Sequence, residues 1–169
     1  MRTILGVLVA TLLIAGCSGS TSSAPPAASA AGQSGAFGGT VQFQMEGQAT
    51  TTKVDAIADG ATVSGSAVTQ IGSGTHSVKV DCATKVGDMW ALGGKADATT
   101  VHGGKVGDWS AVIVKDASPQ LIGIWVSEDA ANAPDCAAWL KGIDIATFDQ
   151  TLLRPVQSGT LVAPKIAAP

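Results

Sequence analysis

Residues 39–74, "GTVQFQMEGQATTTKVDAIADGATVSGSAVTQIGSG", decide the fold class. The first eight alternate strictly: Val41, Phe43 and Met45 against Gln42, Gln44 and Glu46. A period of two puts the first set on a core face and the second toward water, which is a half-buried strand. A second strand-like run, 50–58, stops at Asp59 and Gly60, a hairpin-type pair. A third, 61–71, stops at Gly72, Ser73 and Gly74. Short strands broken by glycine turns, with no room for helices between them, make an antiparallel sheet.

The pattern continues along the chain. "HSVKVDCATKV" (76–86) places Val78, Val80 and Cys82 on one parity, and Gly87 and Asp88 turn it into "MWALGGKADATT" (89–100). "DWSAVIVKD" (108–116) and "QLIGIWVSED" (120–129) are the most apolar runs and read as central strands covered on both faces. "NAPDCAAWLKGI" (132–143) breaks the rhythm; Asp135 is its N-cap candidate and a short helix is expected near 134–142. Pro155 keeps "LLRPV" away from the sheet centre, and "GTLVAP" (159–164) closes the chain as a strand. The expected fold is all-β: one antiparallel domain of about 8–9 strands, barrel-like or sandwich. A barrel-like meander is favoured because the hairpin signals join sequence neighbours. "KVGDMW" (85–90) is echoed by "KVGDW" (105–109); both read as Gly-Asp turns feeding a strand with a core Trp.

The chain before residue 37 has a different composition. Arg2 precedes the 12-residue apolar run Ile4–Ala15, and Gly16 precedes Cys17. That run is shorter than the ~20 residues a spanning helix needs, and its order is that of a secretory signal. "IAGC" (14–17) resembles the lipobox of bacterial lipoproteins. The resemblance covers residues 1–17 and implies a diacylglyceryl group on the Cys17 thiol and removal of residues 1–16. It further implies attachment to the cell membrane, facing the extracytoplasmic side, by acyl chains of the palmitate type. Two or more chains hold a protein at a bilayer far better than one. Residues 18–36 are Ser, Thr, Ala, Gly, Pro and Gln only, too poor in apolar surface to fold, so 17–36 is expected to be a tether of ~25 Å. The domain is then 37–169. Losing Arg2 leaves nine basic against 13 acidic residues, a formal charge of −4 with no basic stripe. Nucleic acid is not an expected partner.

Three cysteines are an odd number for an exported chain. Cys82 and Cys136 both fall in the domain, and an oxidising compartment favours one disulfide between them. Residues 78–95, "VKVDCATKVGDMWALGGK", loosely resemble a passage of secreted β-rich proteins of actinobacteria. There too a strand ends in Cys, a turn follows, and an aromatic-containing strand ends in Gly-Gly. The resemblance carries no activity with it.

Catalytic signatures are missing. His76 and His102 are read as loop histidines, neither with a second His at ligand spacing, so no metal and no cofactor is expected. There is no Gly-x-Ser-x-Gly and no phosphate loop. Glu128 and Asp129, and Asp144 with Asp149, are the nearest carboxylate pairs for hydrolysis and read better as solvated turns. The expected protein is not an enzyme. Trp90, Trp109 and Trp125 lie within or beside the most apolar strands. Core packing accounts for them, and so would the lining of a ligand cavity. Two readings follow: a tethered module that binds a small apolar ligand, or a structural or protein-interaction lipoprotein of the cell envelope with no cavity.

Overall fold

The alternation of residues 39–46 does fold as a strand, and it turns back through two residues. Glu46 and Gly47 both take positive φ, 53° and 77°, as a tight hairpin of this hand requires. Met45 then faces Gln48. The computed structural model describes residues 33–60, 62–127, 135–143, 145, 148 and 150–164. Nine strands follow in order: β1 (Gln33–Met45), β2 (Gln48–Gly60), β3 (Thr62–Ile71), β4 (Gly74–Val86), β5 (Met89–Thr99), β6 (Trp109–Lys115), β7 (Leu121–Ser127), β8 (Arg154–Pro155) and β9 (Ser158–Val162). Among the described residues between β7 and β8 lie a 3₁₀ turn at Gln150–Leu152 and one α-helix, α1 (Cys136–Gly142). Its N-cap is Asp135, whose carboxylate accepts from the Ala138 N–H at 2.8 Å.

The strands form a single antiparallel sheet in the order β8-β7-β6-β5-β4-β3-β2-β1-β9, curled into a half-barrel. Each of β1–β7 pairs with its sequence neighbour, as the hairpin signals predicted. The sandwich alternative falls away. Strand β1 begins at Gln33 and pairs with Gly60, so the sheet starts four residues before the expected boundary at 37. Residues 33–36 are small and polar, and a strand edge can hold them through backbone bonds alone.

Apolar side chains divide between the two faces. The inner set includes Phe37, Val41, Phe43, Val80, Trp90 and Leu92, all buried. The outer set includes Cys82, Ala91, Trp109, Ile113, Trp139 and Leu140, and it lies where α1 packs on β4, β5 and β6. The parity read for β4 is corrected here. Val78 and Val80 point inward, but Cys82 belongs to the outer set. Val80 pairs with Gly94 and Cys82 with Gly93, so Asp81 is an extra residue, a β-bulge, and the face flips after it. The flip brings Cys82 to Cys136 at the start of α1, and the two form the disulfide (Cα–Cα 5.7 Å).

The two rims of the curl meet through the last strands. β8 pairs with Leu121 and Ile122 on one rim, and β9 pairs with β1 on the other. Between them, the Val156 N–H donates to the Gln120 carbonyl and the Gln157 N–H to the Gln42 carbonyl, each at 2.8 Å. Pro155 thus sits on a rim, as expected of a residue without an N–H.

Candidate functional site

Three connections gather at one end of the curl: Glu46–Gly47, Gly72–Ser73 and the longer loop 100–108. The distal half of β7 completes the ring. Between them opens a concavity of about 960 Å³. Its apolar wall comes from Met45, Ile71, Ile122, Ile124, Trp125 and Phe148. Thr69 and His76 contribute polar surface from β3 and β4, with Thr100 and His102 from the loop. Such a volume, walled by apolar and polar groups in comparable measure, lies within the range of small-molecule sites. A smaller cleft of about 350 Å³ lies at the other end, between residues 116–120 and 156–160.

His76 is the most constrained polar group on this surface. It is 2 % exposed, which corrects its reading as a loop histidine. Its parity is that of Val78 and Val80, both inward-facing, and that was the signal available in the sequence. His102 does sit exposed in its loop. His76 Nε2 is 2.9 Å from the Ser110 Oγ, and Ser110 is fully buried on β6. Register places Thr69 on one side of His76 and Thr99 on the other. Thr69 Oγ1 is 3.0 Å from Thr52 Oγ1, extending the polar row across β2–β5. Two buried atoms in this row have no hydrogen-bond partner, His76 Nδ1 and Thr99 Oγ1. An unsatisfied buried polar atom costs about 1–3 kcal/mol, so the pair is primed for a ligand or a water. Burial holds the His76 imidazole below its ordinary pKa, against an upward pull from the carboxylates of Asp108 and then Asp97.

A serine beside a histidine also suggests nucleophile and base. Ser110, however, has no exposed surface, and no carboxylate bonds Nδ1 to orient the ring. As arranged, the pair fixes the imidazole and leaves one nitrogen for something else.

The three candidate tryptophans do not come together. Trp90 is wholly buried in the inner core beside Phe37 (5.7 Å between rings), and its Nε1 donates to Asp116 at the far end of the curl. Trp109 lies on the outer face, stacked on Trp139 at 5.6 Å with the Lys95 ammonium 5.0 Å from its ring centroid. Only Trp125 of the three borders the concavity, edge-on to Phe148 at 5.7 Å. Parity explains the split. Trp90 sits with Leu92 on inward positions of β5, whereas Trp109 has the outward parity of Ala111 and Ile113 on β6.

Asp81, Cys82 and Cys136 place one carboxylate oxygen and two sulfurs within 4.8 Å of one another. The sulfurs are bonded to each other, so they offer no thiolate to a metal. Cys17, with its lipobox, and the carboxylates Glu128, Asp129, Asp144 and Asp149 lie outside the described residues. Among the described residues, no helix is long and apolar enough to cross a membrane. Comparison with models of known families, with curated proteins and with solved structures finds no match to this chain.

Proposed function

We propose that the protein is a membrane-anchored, extracytoplasmic lipoprotein whose β domain binds a small, mainly apolar ligand in the mouth of the half-barrel. The observation that carries the binding reading is the concavity of about 960 Å³, with apolar side chains on its wall and, among its lining residues, a histidine whose buried Nδ1 has no partner. The anchor rests on the sequence order of Arg2, the apolar run, "IAGC" and the uncharged tether. Its lipid attachment point is Cys17, and residues 18–32, which precede β1, would let the domain stand off the bilayer by ~20 Å.

Native mass spectrometry of the chain purified from a bacterial membrane tests the binding reading. The expected result is an added mass on the folded protein that is lost on unfolding. A clean apo mass, with no thermal shift across a panel of apolar small molecules, overturns it. For the anchor, Cys17→Ala should move the protein from the membrane to the soluble fraction; unchanged membrane retention would exclude lipidation at Cys17.

A second reading, an interaction lipoprotein of the envelope, has one observation in its favour. Ile57 on β2 and Val162 on β9 flank β1 on the outer face, 59 % and 58 % exposed. Replacing both with Ser would abolish recovery of a cross-linked partner if that face is a protein contact. Unchanged recovery would remove this face from consideration.

A further inference from the structure

The chemistry of the polar row narrows the ligand class. This step rests on the binding reading above and goes beyond it. His76 and Thr99 are a cross-strand pair, so their Cβ atoms lie within about 5.5 Å of each other and one small group can reach both side chains. His76 lines the concavity. Thr99 Oγ1 neighbours Gly104, another lining residue; a Cβ added there would stand 2.9 Å from it. Both His76 Nδ1 and Thr99 Oγ1 are buried without a partner.

What those two atoms ask for follows from their inventory. If Ser110 donates to Nε2, Nδ1 carries the ring proton and donates; if Nε2–H donates to Ser110, Nδ1 accepts. The threonine hydroxyl can do either. A ligand hydroxyl, with one donor and two acceptor pairs, satisfies both atoms in either tautomer. A carboxylate or phosphate can only accept. It would also face the negative field that Asp108 and Asp97 exert at His76. An ammonium can only donate, so it leaves Nδ1 unsatisfied whenever that nitrogen carries the ring proton. The cation nearest the concavity is Arg154, whose guanidinium is engaged with the carbonyls of Thr151 and Leu153.

We infer that the ligand is an uncharged apolar molecule bearing a hydroxyl group, and that this hydroxyl is held between Nδ1 of His76 and Oγ1 of Thr99. The hydrocarbon then lies against Ile122 and Ile124, which face inward from β7 as His76 does from β4, and the hydroxyl replaces the two missing hydrogen bonds.

The test uses the full chain and three probes of equal length: 1-octanol, octanoate and octane. Binding is read by Trp fluorescence, and the His76 ring nitrogens by ¹⁵N chemical shift. Octanol should bind about tenfold more tightly than either other probe, the ratio expected of one well-made buried hydrogen bond. It should also move the His76 Nδ1 resonance. Thr99→Val, which keeps the shape and removes the hydroxyl, should weaken octanol binding toward that of octane and leave octane unchanged. The ¹⁵N measurement needs no substitution, so it stands even if the Thr99 variant fails to fold. Equal affinity for octanol and octane with an unmoved Nδ1 overturns the hydroxyl anchor and leaves the concavity reading intact. Tighter octanoate overturns the uncharged class. Binding of none of the three overturns both.

Discussion

Gly93 and Gly94 are adjacent and look interchangeable in the sequence, yet the fold needs each for a different reason. A Cβ on Gly94 would lie 1.8 Å from the Lys79 carbonyl oxygen, inside the bulged pairing with β4. On Gly93 it would lie 3.1 Å from Cys82 Sγ and 3.2 Å from both Cys136 Sγ and Trp139 Cζ3. Backbone cannot retreat from the first clash without breaking the ladder, whereas the second needs shifts of a few tenths of an ångström. Gly94→Ala should therefore cost about 3 kcal/mol or more and Gly93→Ala nearer 1 kcal/mol. Urea midpoints of the two variants check the order; a reversed order would misplace the bulge. His76 gives a second residue-scale prediction. Its folded pKa lies below the unfolded value of roughly 6.5, so below that pH the unfolded chain binds the extra proton. Stability is then full above about pH 6.5 and falls as pH drops toward the folded value. Unfolding free energy measured from pH 7.5 to 5.5 should decline in the native chain and less in His76→Gln. Identical slopes would mean that this imidazole is not buried.

At the scale of elements, β4 shows what a sequence reveals and what it hides. Its existence follows from alternation, and its bounds come out within two residues of those expected. The bulge at Asp81 does not show, because one extra residue in a strand leaves the letters alternating while the backbone changes face. Only the partner strand exposes it, through the Gly93 and Gly94 pairing. The consequence is large, since the flip is what presents Cys82 to α1. That helix has seven residues, too few to persist alone in water, and it docks through Trp139, Leu140 and the disulfide. Cys82 and Cys136 are 54 residues apart. In the chain-entropy account, closing such a loop stabilises by about 4 kcal/mol. Replacing both with Ala should lower the unfolding free energy by about that amount. It should also weaken the near-ultraviolet dichroism of the stacked Trp109 and Trp139. Loss of stability without the spectral change would show that α1 stays docked without its bridge.

On the scale of the whole molecule, the meander was legible because each hairpin signal joins neighbours in sequence, but the seam was not. Besides the backbone bonds of Val156 and Gln157, the seam is held by a side chain whose partner lies about 40 residues on, and no local pattern encodes it. Gln120 stands just before β7, and its amide lies along the free edge of β9. Its Nε2 donates to the Leu161 carbonyl and its Oε1 accepts the Leu161 N–H, both at 3.0 Å. The amide thus does what a peptide unit of a tenth strand would do, and it covers an edge that could otherwise pair with another chain. Gln120→Leu keeps the bulk and removes both bonds. It leaves the N–H and carbonyl of a buried residue without partners, at a cost of about 2 kcal/mol. The Leu161 amide should then exchange its hydrogen markedly faster, while amides of central β5 exchange as before. The clamp lies at the end of the curl away from the concavity, near the smaller cleft formed by residues 116–120 and 156–160. Octanol affinity in Gln120→Leu should therefore match that of the native chain. A parallel loss of binding would mean that the mouth depends on closure at the far rim, and that the curl opens and closes as one body.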